Sequence, residues 1–363
     1  MEVTAWVCDA QSGNVQGSIP LAPGGRFAAR FGGGAFTAQV PLGELRTRDG
    51  HGPDTGAIQR ILAWCDGGKY SLMLTAGQAV LGEWLIWQPA PATAAGLLPI
   101  SGFEWDGYPK FRSLNDNYIY KSADLGTMAR ALLQDAFSSY QSTQITVPAF
   151  TAGRTAGIDY KSHTAYYGDV LSKVEQMGLE WRVDITAQWS GGVPTKAVRT
   201  VVFGAPEVRR TTTARINAGP PDRRTGNAIS FERSRDFSKY AQSMYGWGGG
   251  EGAKQRWIGL SDPTLTNQGY LIVTKNETYP GEVAVPALTR LTQQSLDAAQ
   301  ELWEPTQATV DADRMATWPR PGDAIPCSVE WAWSYPTGYS GTLRVGEVSF
   351  STGRGSLVDL QLA

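Results

Sequence analysis

The last stretch of the chain, from Trp318 to Ala363, restricts the fold more strongly than any other part of the sequence. Apolar and polar residues nearly alternate along it, and turns rich in Gly and Pro separate the runs. Such alternation is typical of strands that bury one face, because successive side chains of a strand point to opposite sides. We therefore expect a small β-barrel at the end of the chain, with no catalytic pattern in it.

Composition narrows the class of protein. The 363 residues carry 32 basic and 34 acidic side chains, which gives a formal net charge of -2. This balance argues against tight binding of nucleic acid without regard to sequence, since such binding needs a large basic surface. The 13 Trp, 14 Tyr, 11 Phe and 42 Gly favour a β-rich protein with tight turns and broad contacts. No apolar run is long enough to span a membrane, so we expect no membrane insertion.

The cysteines predict neither a disulfide framework nor a metal site. Cys8, Cys65 and Cys327 are far apart and odd in number, and no CxxC or zinc spacing occurs. We expect buried free thiols in a reducing compartment, and no cofactor.

Residues 1–96 have the pattern of a strand meander, which suits a barrel or a sandwich. Its strongest element is a hairpin with arms at 60–65 and 69–75, joined through Asp66-Gly-Gly. A linker rich in Pro and Ala follows at 88–96 and places the first domain boundary.

Residues 97–222 change to a helical period and predict an inserted α+β domain. Ser122 is the expected N-cap of a first helix. Its apolar stripe consists of Leu125, Met128, Ala129, Leu132, Leu133 and Phe137. A second helix is predicted over 165–177; Gly178 ends it and a strand follows at once.

Residues 223–305 return to β character and begin a second β domain. We expect a hairpin over 227–247, then a loop, then a helix over 287–304 that ends before a proline. Residues 306–363 supply the remaining strands. The fold class predicted is therefore mainly β with an α+β insertion.

Two close carboxylate pairs are the nearest approach to a catalytic pattern. Glu104 and Asp106, and likewise Asp311 and Asp313, would share a strand face, and glycoside hydrolysis needs such a pair. With 34 acidic residues, however, close pairs arise by chance. We predict no catalytic, cofactor-binding or metal-binding residue.

Other candidate motifs also favour structural roles. The glycine runs at 32–34, 67–68 and 248–250 lack the pattern of a phosphate-binding loop and predict turns. His51 and His163 have no partner at ligand spacing and are expected in solvated loops. A basic segment is expected to be a solvated linker, with contact to an acidic partner or to DNA as the alternative; it comprises Arg209, Arg210, Arg215, Arg223 and Arg224.

Three passages carry a resemblance to a known family. They are the helix-to-strand junction at 167–183, the stretch 227–248, and Arg320-Pro-Gly-Asp-Ala-Ile-Pro with the strands after it. In this order, covering nearly the whole chain, they resemble the tail-tip, or baseplate, hub proteins of bacteriophages. The resemblance is closer still to the minor tail proteins of long-tailed phages that infect actinobacteria.

This resemblance implies a homotrimer in which each subunit carries two similar tube barrels. Three copies would form a pseudo-sixfold ring that continues the tail tube and lets DNA pass. The first barrel would be residues 1–96 and the second 225–247 with 306–363. Implied partners are the distal tail or tail tube protein, the tape-measure protein and other tail-tip or fibre proteins. The implied location is the tail tip of a virion assembled in the bacterial cytoplasm, and the family brings no catalytic residues.

Two alternatives remain at this point. The many Trp and Tyr residues could form platforms that hold sugars, as in a receptor- or carbohydrate-binding tail protein. The carboxylate pairs could belong to a cell-wall hydrolase, the less favoured alternative.

Overall fold

The computed structural model describes residues 2–47, 52–138, 143–219, 226–233, 240–250, 252, 255–264, 266–269, 271–279, 284–300, 306–330 and 337–362. The protein is mainly β with a few helices, which confirms the predicted fold class. The chain divides into two compact units. Unit 1 comprises Met1–Phe231 and Gln307–Ala363, and unit 2 comprises Glu232–Thr306. No helix among the described residues is both long and apolar enough to cross a membrane.

A 14-stranded sheet runs through unit 1. Its N-terminal strands are β1 (Val3–Asp9), β2 (Val15–Ile19), β3 (Arg26–Arg30), β4 (Ala35–Pro41), β5 (Tyr70–Ala76), β6 (Ala79–Pro89) and β7 (Leu97–Glu104). Its later strands are β13 (Arg210–Thr211), β14 (Ile216–Ala218), β15 (Ala228–Arg233), β19 (Thr306–Asp311), β20 (Asp323–Val329), β21 (Tyr339–Ser351) and β22 (Leu357–Leu362). The main path is β15-β19-β22-β21-β3-β4-β7-β6-β5-β1-β2, and β20 joins β13 and β14 to β21.

Strand pairing in this sheet continues across the first predicted boundary. β7 begins at residue 97, directly after that boundary, and pairs with both β4 and β6. The C-terminal strands join the same sheet because β21 pairs with β3, with Phe350 opposite Phe27. The strands expected for two barrels are thus hydrogen-bonded into one sheet, and their division into two tube barrels stays a prediction.

A cluster of aromatic rings ties the two ends of the chain together. Phe27 stacks on Phe36 at 5.4 Å and on Phe350 at 5.5 Å between ring centroids. Trp84 packs edge-on against Phe27 at 5.2 Å, and its indole N–H donates to the carbonyl of Ala28 at 2.9 Å. These rings come from β3, β4, β6 and β21, so the hydrophobic effect holds the first and last strands in one core.

The expected insertion contains helices and small sheets packed on a second core. Its elements are β8 (Tyr118–Asp124), α2 (Leu125–Ser138), β9 (Ile145–Thr146), β10 (Thr155–Tyr160), α3 (Tyr167–Gln176), β11 (Glu180–Ser190) and β12 (Val193–Gly204). All six residues of the predicted stripe on α2 are buried, which confirms that helix. The expected cap was wrong. Asp124, rather than Ser122, accepts hydrogen bonds from the N–H groups of Gly126 and Thr127.

The hairpin arm predicted at 60–65 is instead the end of a helix, α1 (Thr55–Trp64). The side chain of Asp54 caps this helix by accepting from the N–H of Ala57 at 2.9 Å. Ile58, Ile61 and Cys65 then pack on the sheet core at helical spacing. The six residues 60–65 fit the period of a strand as well as that of a helix. Asp54, which caps the helix, lies outside this stretch.

Unit 2 is a three-stranded sheet covered on one face by a helix. Its elements are β16 (Ser243–Trp247), β17 (Trp257–Ser261), β18 (Thr274–Thr278) and α4 (Val285–Gln300), with β16 in the centre. The hairpin predicted over 227–247 was therefore wrong, since β15 pairs in the large sheet and β16 pairs with β17 and β18. The predicted helix at 287–304 corresponds to α4, whose described part ends at Gln300.

Candidate functional site

The first carboxylate pair lies in the interior and serves the backbone. Glu104 accepts from the N–H groups of Arg30 at 3.0 Å and Gly34 at 2.7 Å. Asp106 accepts from the N–H of Val183 at 2.7 Å. Burial raises the pKa of both carboxyls above the usual range, although the charge of Arg182 opposes the rise. Both side chains are buried and accept hydrogen bonds from backbone N–H groups, so this pair has no open face for a substrate.

The second pair stabilises a turn. Asp311 accepts from the N–H of Asp313 at 3.2 Å and from the hydroxyl of Ser356. It also forms an ion pair with Arg314 at 3.3 Å. These contacts join the end of β19 to the turn before β22, which is a structural role.

The remaining sequence candidates take up backbone or surface positions. His163 has a positive φ of 59° and donates its N–H to the carbonyl of Leu114. The glycine runs at 32–34 and 67–68 form the turns expected of them. His51, Arg223 and Arg224 lie outside the described residues. Within the described part of the chain no cluster of His, Cys, Asp or Glu could hold a metal ion.

The basic segment differs from the solvated linker that we expected. Arg210 lies in β13, which pairs with β20, and its guanidinium binds Asp184 and lies 3.5 Å from Asp323. Arg209 remains exposed beside Glu207. The strand pairing and the two carboxylates fix the position of Arg210. The sequence pattern around Arg210 does not predict these contacts.

A fully buried ion pair fastens the insertion to the large sheet. Arg199 of β12 reaches Glu83 of β6 with Nη2 to Oε1 at 2.7 Å and Nε to Oε2 at 3.0 Å. Both side chains are 0% exposed. Arg199 also donates to the carbonyl of Ala10 at 2.6 Å, and its guanidinium lies 4.2 Å from the ring of Trp105. The bidentate geometry and the added donors offset the desolvation of two charges.

A second buried network surrounds Arg182 on β11. Its Nε lies 3.1 Å from Asp184, and its Nη1 donates to the carbonyl of Pro321 at 3.2 Å. Burial alone would lower the pKa of Arg182, but the carboxylates of Glu104 and Asp106 raise it. The network thereby joins the insertion to the loop before β20.

Glu83, Arg182 and Arg199 are not among the residues predicted from the sequence. A signal is present for Glu83 and Arg199, because each interrupts an apolar strand run at a position where the pattern predicts a buried side chain, whereas Arg182 falls at a polar position of its strand and carries no such signal. A charged side chain that is buried is normally paired with an opposite charge.

The main path of the large sheet ends in the edge strands β2 and β15, and on its side branch β13 and β14 pair only with β20, as far as the described strands show. On β2, Gln16 and Ser18 are exposed and no residue of the strand is charged. Beside it lies an open cavity of about 660 Å³, lined by the ends of β1 and β2 and by Ser351, Thr352, Gly353 and Gly355. An uncharged edge next to an open cavity is suited to pairing with a strand of another chain.

The fold is shared with solved tail proteins. The tail protein of Neisseria meningitidis MC58 is 12% identical, has a TM-score of 0.60, and the match covers 100% of this chain and 96% of that one. The 43 kDa tail protein of prophage MuSo2 from Shewanella oneidensis is 10% identical with a TM-score of 0.59, covering 100% and 98%. A prophage tail protein from Listeria monocytogenes EGD-e is 11% identical with a TM-score of 0.53, covering 99% and 94%.

No family model and no curated protein matches the chain. The structural matches span these tail proteins almost from end to end, at sequence identities that reveal the fold alone. The chain therefore has a tail-protein fold.

Proposed function

We propose that the protein is a structural component of a bacteriophage tail and forms the hub of the tail tip. The observation that carries the proposal is the fold match over the full length of three solved tail proteins. The carboxylate pairs add support, because their contacts in the described residues are structural.

In this proposal three copies form a ring of pseudo-sixfold symmetry, with two similar tube barrels from each copy. The ring continues the tail tube and joins it to the host-binding tip. An exposed sheet edge is a liability for a monomer, and closed symmetry removes it. We assign the uncharged edge of β2 to the contact between copies.

The proposed partners follow from that place in the tail. The hub contacts the distal tail or tail tube protein on one side, and the tape-measure protein and the tip or fibre proteins elsewhere. DNA passes through the ring without stable binding, and the net charge of -2 suits such passage because strong phosphate contacts would slow it. The virion is assembled in the bacterial cytoplasm. We place its host among the actinobacteria, since a composition rich in Ala, Gly and Trp fits a host with a high-GC genome.

The assembly state of the purified chain tests the proposal. Light scattering after size exclusion should give three times the 39.2 kDa of the chain, and electron micrographs should show rings. The double variant Gln16→Lys with Ser18→Lys should shift the trimer toward monomer, because lysines on an edge strand oppose pairing with another chain.

A control places a lysine on an exposed strand position where both neighbouring strands are already present. Gln361 is exposed on β22, which pairs with β19 and β21, so Gln361→Lys should leave the trimer intact. A wild-type chain that remains monomeric at every concentration contradicts the ring. A trimer that persists with the lysines on β2 would be consistent with the ring but would show that the β2 edge is not the contact between copies.

A further inference from the structure

The sheet of unit 2 has one face covered by α4 and one open face. In the register of the sheet Trp247 pairs with Trp257, and Tyr245 pairs with Gly259. Paired residues point to the same side of a sheet, so the three aromatic rings share one face. The opposite face packs on α4, since Met244 joins Leu296 in a small core. Trp257 is 57% exposed and Tyr245 39% exposed, which puts the aromatic face in solvent.

The three rings form one contiguous platform with Trp257 in the middle. Its centroid lies 5.8 Å from that of Tyr245 and 6.1 Å from that of Trp247. The planes of Trp247 and Trp257 are inclined by 36°, whereas the ring of Tyr245 meets Trp257 edge-on at 61° and flanks the two indoles. A Cβ on Gly259 would stand 2.9 Å from the ring of Tyr245, so glycine makes room for that ring. The indole N–H of Trp247 donates to Asn276 Oδ1 at 3.1 Å, which fixes its orientation.

The polar groups of this face are uncharged. Every position on the aromatic side of β16, β17 and β18 holds a neutral residue: Ser243, Tyr245 and Trp247; Trp257, Gly259 and Ser261; Thr274, Asn276 and Thr278. The charged residues Lys275 and Glu277 are in register with Met244 and Gly246, which belong to the other face. Within the described residues the side chain of Asn276 makes only the bond to Trp247, so its amide N–H groups remain available to a ligand.

We propose that this aromatic face of unit 2 binds a neutral glycan. The apolar C–H face of a pyranose ring matches an indole or phenol ring in size and packs on it, with its C–H groups over the negative π face. Hydroxyl and amide side chains around the platform supply the uncharged hydrogen bonds that sugar hydroxyls require. Charge favours this ligand over a nucleic acid or an acidic polymer, because the nine described strand positions of this face hold no cation.

Calorimetric titration of the full chain tests the proposal. The probes are soluble neutral hexasaccharides: β1,4-linked N-acetylglucosamine, α1,4-linked glucose and β1,4-linked glucose. Saturable binding to at least one of them is expected, with little change when NaCl is raised, since no ion pair is involved. Trp257→Ala should weaken it at least about 10-fold, equivalent to about 1.4 kcal/mol, and Tyr245→Ala should weaken it to a smaller degree.

Two variants control for the loss of an exposed apolar side chain elsewhere. Phe111 is 51% exposed in unit 1, and Ile272 is 68% exposed in unit 2 but outside the strands. Phe111→Ala and Ile272→Ala should keep wild-type affinity.

Three results of the binding experiments would overturn the proposal. They are absence of saturable binding to every hexasaccharide, binding that survives Trp257→Ala, and binding confined to dextran sulfate or duplex DNA. A Trp257→Ala variant that loses self-assembly would also overturn it and assign the face to contacts between copies. The proposal is independent of the tail-hub function, since a monomeric chain could still bind a glycan through unit 2.

Discussion

Replacement of Arg199 by methionine should destabilise the protein severely. The substitution keeps a long side chain but leaves the carboxylate of Glu83 without its cation in a site that is 0% exposed. It also removes donors from the carbonyls of Ala10 and Asp9 and the cation from the ring of Trp105. Removal of one partner from a buried ion pair typically costs about 3–5 kcal/mol. Since domains are stable by about 5–15 kcal/mol, this is a large share of the total.

Urea unfolding, followed by both circular dichroism and tryptophan fluorescence, measures the loss as a change in the free energy of unfolding. Arg30→Met is the matched control. Arg30 forms an ion pair with Glu347 at 3.9 Å, but its side chain is 57% exposed. Such surface pairs contribute about 0–1 kcal/mol, so the control should be close to wild type.

The double variant Arg199→Met with Glu83→Met separates the ion pair from the packing around it. A buried pair can be replaced by apolar residues at little cost, so the double variant should recover at least about 2 kcal/mol of the loss. A loss below about 1 kcal/mol in Arg199→Met, or a double variant less stable than the single one, would refute the reasoning.

Two further predictions concern buried ionisable groups. Burial raises the pKa of Asp106 well above its ordinary 3.8, so its contribution to stability is lost as the pH rises from that value through the raised pKa. Asp106→Asn should therefore gain in melting temperature relative to wild type as the pH is raised above 3.8, and a difference that does not change with pH would contradict this. Burial also raises the pKa of the Cys8 thiol beyond its usual range, that of Cys65 to about 12 and that of Cys327 to about 11. Because the thiolate is the reactive form, iodoacetamide at pH 8 should label none of the three in the native protein and all three in urea. Mass spectrometry counts the labels, and a labelled native cysteine would contradict this.

The elements that the sequence predicted well are those whose pattern is both local and long. The stripe on α2 spans nearly four turns, and the alternation along β20 and β22 matches their alternating burial. Gly178, with a φ of 97°, lies where the helix-to-strand junction was expected. In each case one short-range period decides which side chains are buried.

The failures occurred where partners are distant in the sequence. A period of two shows which face of a strand is buried and says nothing about which strand lies beside it. β15 was therefore paired in prediction with the next β segment, whereas its neighbour in the sheet is β19, after the whole of unit 2. The partner of Arg199 presents the same difficulty, since Glu83 lies 116 positions earlier.

The position of unit 2 in the chain lets the two proposed functions vary independently. The chain leaves the large sheet at β15 and returns at β19, and these two strands are neighbours in that sheet. A unit inserted between adjacent strands leaves the pairing of the host sheet intact, because its two ends are already close together. The aromatic face on β16 and β17 can therefore change with the glycan it recognises, while the aromatic core and the buried ion pairs of unit 1 maintain the tail-protein fold.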